Sequence, residues 1–110
     1  MYRIEYTKIA FEDLNNIFDY ISNELKNKTA ASKLLTLFKQ QIEIIKVFPY
    51  ANPRFYPSCY TKYEYRRCII KNYSLFYIVN EDNKLVLVVG IVYSKRDISN
   101  ILSEKEGVLG

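Results

Sequence analysis

Histidine is absent from the 110 residues, and cysteine occurs only at Cys59 and Cys68. That scarcity argues against a structural zinc site, which usually needs four Cys or His ligands. Two cysteines in a cytosolic chain are expected as free thiols rather than as a disulfide. Cys68 falls in a strand-like stretch and is expected as a small core residue. No cofactor or metal is implied. Long hydrophobic runs are also missing. The longest, Leu85 to Tyr93, is far too short to span a membrane. No apolar region follows the charges of Met1-Tyr2-Arg3-Ile4-Glu5, so a signal peptide is not expected and the cytoplasm is.

What is present suits one soluble domain, residues 1–110, with a frayed tail over 103–110. A chain of this length can bury a real core, and 49% hydrophobic with 25% charged residues is ordinary for a globular protein. The net charge of +4 favours a nucleic acid or an acidic protein as partner. An AT-rich genome, which enriches Lys, Asn, Ile and Tyr, would give the same balance without selection for binding.

The patterning predicts an α+β fold. Tyr2 to Tyr6 alternates as a first strand, with Tyr2, Ile4 and Tyr6 on one face. Thr7 is the expected cap of a first helix, with Glu12 and Asp13 early in it and a stripe of Ala10, Leu14, Ile17, Ile21 and Leu25. Thr29 is the expected cap of a second helix, striped by Ala31, Leu34, Leu35, Phe38, Ile42 and Ile45 and closed at Pro49. The short link makes the two helices an antiparallel hairpin. Tyr50 to Lys62 reads as an ordered surface loop. Strands at Tyr63–Ile70, Tyr73–Val79 and Lys84–Tyr93 then form an antiparallel three-stranded meander. Ser94 to Leu102 adds a short C-terminal helix.

The last strand is apolar on both faces. Leu85, Leu87, Val89 and Ile91 are expected on one, and Val86, Val88 and Val92 on the other. Such strands are usually covered twice. The helical hairpin covers one face, leaving the second for a bound partner segment, a homodimer contact or a locally exposed apolar strip.

The densest information lies between Tyr65 and Arg96. Alternation puts Arg66, Cys68 and Ile70 on one face, so a guanidinium shares a side with core residues and needs a partner. Arg96 follows directly after the last strand. Two arginines at strand ends can face one anionic surface. The competing reading is structural, with Arg66 paired to Glu64 and Arg96 to Asp97. Arg67 points the other way, to solvent or a partner. Asn52-Pro53-Arg54 can reach the same groove, or be a plain turn.

Tyr65-Arg66, Lys71-Asn72-Tyr73, Phe76-Tyr77 and Tyr93 with Lys95-Arg96, together with Ala10, Asp13-Leu14, Ile17, Tyr20-Ile21, Ala30-Ala31 and Phe48-Pro49, resemble the RelE/ParE superfamily, the toxins of bacterial type II toxin–antitoxin pairs. The resemblance spans roughly residues 2 to 102 and lies in order and spacing rather than in one motif. It implies a growth inhibitor neutralised by a wrapping antitoxin. RelE-like members cut messenger RNA in the ribosomal decoding site; ParE-like members bind and poison DNA gyrase without being enzymes. Metal-free cleavage needs a base, an acid and cations on the phosphorane. Arg66, Arg96, Tyr93 and Lys62 are the candidates for those roles, with Tyr63 and Tyr65 nearby. Arg67, Lys71 and Lys95 are candidate binding residues. Most of the 11 tyrosines, however, are expected to serve packing. Residues 97–110 lack the Tyr or His that RelE-like nucleases commonly carry there. That departure, with the Tyr20-Ile21 and Ala30-Ala31 matches, makes ParE-like action on gyrase the lead expectation. RelE-like cleavage is the alternative, and an inactive partner-binding relic the second.

Overall fold

A computed structural model describes residues 1–57, 61–94, 102 and 106. Its centre is the strand β5, Leu85–Tyr93, placed second in a five-stranded sheet of order β1-β5-β4-β3-β2. The partners are β1 (Arg3–Tyr6), β2 (Arg54–Phe55), β3 (Tyr65–Ile70) and β4 (Tyr73–Asn80). β1 runs parallel to β5, while β3, β4 and β5 form the expected antiparallel meander. The helices α1 (Lys8–Asp19) and α2 (Lys28–Val47) are separated by a π-helical turn, Tyr20–Glu24. None of the described helices is long and apolar enough to cross a membrane.

The hairpin forms where the stripes fall. Ala31, Leu34, Phe38, Ile42 and Ile45 of α2 are buried, as is Ala10 of α1. All of these but Ala31 pack on Cys68, Ile70, Leu75, Tyr77, Val86, Val88 and Ile91 from one sheet face. Thr7 caps α1 as expected, its hydroxyl accepting from the Ala10 N–H at 3.0 Å. The second cap differs: Asn27, not Thr29, closes α2 by accepting from Ala30 N–H. Asparagine caps two residues earlier than expected and starts the helix at Lys28. Glu12 and Asp13 lie beyond the first turn of α1. Asp13 instead accepts the Ile91 N–H from the sheet at 3.1 Å.

Two further corrections concern the sheet. The loop from Tyr50 to Lys62 contains a strand: β2 pairs Arg54 with Arg66 and Phe55 with Tyr65. Two residues are too few to show a period. In the pairing of β4 with β5 the register slips between Phe76 and Tyr77, so that Phe76 faces Gly90 while Tyr77 faces Val88. Val89 is the extra residue of a β-bulge. Beyond it the faces exchange. Ile91 joins Val86 and Val88 under the helices, and Val92 joins Val89 on the other side. That second face is not bare. Leu102, fully buried, packs there with Tyr65, Phe76, Val89 and Val92. The remainder of the expected C-terminal helix, and Cys59, lie outside the described residues.

Candidate functional site

Arg66 lies on the helix-facing side of β3, as alternation requires, and it is held. One guanidinium nitrogen donates to the Asn52 carbonyl at 2.8 Å, the other lies 3.7 Å from Glu64, and the group sits 4.9 Å from the Tyr50 ring centroid. Its side chain keeps 18% exposure. The pairing with Glu64 is thus present. Glu64 also lies 3.7 Å from Arg54. Arg66 ties the Pro49–Pro53 segment to the sheet, and Tyr77 does the same through its hydroxyl, which donates to the Pro49 carbonyl at 2.7 Å.

Of the other described candidates, Tyr93 and Lys71 stand at the opposite end of the meander from Arg66. Tyr93 stacks edge-on with Tyr73 at 5.9 Å, at the far end of the meander. Tyr73 pairs with Ile70, four residues along β3 from Arg66, which is about 13 Å of strand. Lys71 occupies the β3–β4 turn near Tyr93, with φ of 56°. Lys62 stands exposed before β3, its ammonium 5.7 Å from the Tyr63 ring centroid. Its backbone N–H donates to the Glu106 carboxylate. Arg67 was expected in solvent or at a partner. It is half-buried instead, donating to the Ser74 hydroxyl at 2.8 Å and lying over Phe55. Lys95 and Arg96 lie outside the described residues.

Two carboxylate clusters gave no sequence signal. Glu81, in the β4–β5 turn, accepts from the hydroxyls of Tyr2 at 2.6 Å and Tyr50 at 2.7 Å and pairs with Lys84. Lys84 first, then the two hydroxyls, hold its carboxyl down to about 2. In return the Tyr50 hydroxyl is pushed up to about 12, chiefly by that bond. The cluster fastens the chain start, the loop after α2 and the β4–β5 turn together. Glu106 accepts from the N–H groups of Lys62 and Tyr63 and from the Tyr65 hydroxyl. Burial raises its carboxyl, but these bonds outweigh it and the net shift is downward. An acid in a turn reads as solvated, and partners 31 or 44 residues away leave no local pattern.

A groove of about 700 Å³ opens between the helical hairpin and the β3–β4 turn. Its walls are apolar, from Tyr20, Ile21, Leu25, Leu34, Leu37 and Tyr73, with Lys33 and Lys71 beside them. The π-helical turn, closed by Leu25 N–H to the Tyr20 carbonyl, shapes one wall. Tyr20 and Leu25 are more than half exposed.

The fold matches a solved structure described as the chromosomal ParDE TA system from P. aeruginosa, with a TM-score of 0.66 at 17% identity, covering 86% of this chain and 98% of that one. No curated protein matches the chain. The family model of the ParE toxin of the type II toxin–antitoxin system parDE matches residues 4–98. That span takes in α1, α2 and the whole described sheet except the first residue of β1, and the chain belongs to the ParE toxin family.

Proposed function

We propose that this ParE-type toxin arrests growth by acting on DNA gyrase and is silenced by a cognate antitoxin. The match to the ParE family over residues 4–98 carries the reading. The geometry supports it against RNA cleavage. Cleavage needs a base, an acid and cations within reach of one phosphate. Arg66 and Tyr93 stand at opposite ends of the meander, and the Arg66 fork already serves Asn52 and Glu64.

For the antitoxin, the groove between the hairpin and the β3–β4 turn suits the apolar face of a helix, one of the recurring ways a short segment meets such a surface. Lys33 and Lys71 would meet acidic residues at its edge. Leu25→Asp, at an exposed position of the groove wall, should cost at least about tenfold in antitoxin affinity, read by titration calorimetry, while the melting temperature stays near wild type. Unchanged affinity would place the antitoxin elsewhere. The test of the target is induction of the free toxin in growing cells. Growth arrest with trapped gyrase–DNA complexes supports the proposal. Arrest with cut messages points to the ribosome, and unimpaired growth points to an inactive relic.

A further inference from the structure

β1 is an outer strand, and among the described residues no strand pairs with its free edge. Arg3 N–H bonds to the Lys84 carbonyl and Thr7 N–H to the Val88 carbonyl. Strand alternation then turns the N–H and C=O groups of Ile4 and Tyr6 outward. Tyr2 also faces outward, but its N–H is taken by the Lys46 carbonyl, leaving its C=O free. Natural sheets usually guard such an edge with short strands, charges, proline or a bulge. This four-residue edge has no proline or bulge, and its two charges are of opposite sign. Its sequence, Tyr2-Arg3-Ile4-Glu5-Tyr6, is instead charge-complementary to its own reverse.

We propose that the β1 edge binds a second copy of this chain, antiparallel, about a two-fold axis through Ile4. In that register Ile4 faces Ile4 of the partner subunit. Arg3 faces the partner's Glu5, Glu5 faces the partner's Arg3, and Tyr2 faces the partner's Tyr6. The outward groups match this pairing. Each Ile4 N–H meets the opposite Ile4 carbonyl, and each Tyr6 N–H meets a free Tyr2 carbonyl. The contact is isologous and closes at two copies. Arg3 and Glu5 lie 3.7 Å apart within one chain, with side chains 64% and 52% exposed, so both are free to turn to the partner. Cross-strand pairs of opposite charge and of aromatic rings are the stabilising units of such a joint.

A second observation agrees. The end of α2 lies beside the start of β1 through the Lys46–Tyr2 bond, and Ile44, Val47 and Phe48 there are 47%, 49% and 62% exposed. In the antiparallel pair this apolar rim comes next to the Tyr6 end of the other copy, where Tyr6 and Phe11 are also exposed. The joint leaves the groove beside Lys71 open, because β3 lies on the far side of the sheet from β1.

Sedimentation velocity of the full chain over a micromolar dilution series tests the proposal, with circular dichroism confirming that each variant folds. Wild type should show a concentration-dependent dimer. Glu5→Arg places like charges opposite one another and should raise the dissociation constant roughly tenfold or more; Arg3→Glu should do the same. The double variant carrying both Arg3→Glu and Glu5→Arg restores opposite charges in the same register and should recover the dimer. A wild type that stays monomeric overturns the proposal. So does a dimer indifferent to the single reversals, or one that the double exchange fails to restore.

Discussion

Arg66 shows how far a single residue can be read from sequence. Its side of the strand, its need for a partner and Glu64 as that partner all follow from alternation and desolvation. The carbonyl of Asn52 does not, because backbone acceptors carry no residue signature. Glu81 was silent for a related reason: its tyrosine partners come from remote chain segments. Its chemistry gives a pH test. The folded carboxyl sits near 2 against an ordinary 4.5. A depressed carboxyl stabilises the fold above its unfolded value, and that contribution fades as pH falls from 4.5 towards 2. Thermal melts should therefore show Glu81→Gln less stable than wild type at neutral pH, with the gap closing across that window. A gap independent of pH would mean that the charge is not the source. Asp13 gives a second test. Asp13→Ala leaves the Ile91 N–H without its acceptor and should cost about 1–3 kcal/mol in chemical denaturation.

At the scale of elements, periodicity located both helices and all three meander strands, since each buries a face long enough to repeat. It failed where length or parity broke the pattern. β2 has two residues, and the bulge at Val89 moved Ile91 and Val92 to opposite faces from those expected. The turns were also poorly marked. Lys26, Lys71 and Lys84 take φ of 49°, 56° and 50°, where glycine is the usual signal. Gly90 has a different role. It shares the space opposite Phe76 with Val89, and all three are buried. A side chain there would crowd the bulge, so Gly90→Val should destabilise by about 1–3 kcal/mol in urea unfolding. Stability within a few tenths of a kcal/mol of wild type would mean that the bulge has room to spare.

At the scale of the molecule, the basic balance and the two-faced β5 pointed to partners without placing them. Leu102 occupies part of the second face of β5, where a partner segment was expected. The open apolar surface lies instead beside the hairpin, in the groove that a linear pattern does not reveal because three separate elements build it. Among the described residues, Arg66 and Lys71 were legible as cations but not as separate ends of the meander, since such placement is a property of the fold. Whether the toxin acts on gyrase or on messages is the central question. The most direct measurement is a supercoiling and cleavage reaction with purified gyrase and the free toxin, run beside primer extension on a message under translation. The account predicts toxin-dependent gyrase inhibition, relieved by the antitoxin, with the message intact. Unaffected gyrase together with new cuts inside codons would contradict it.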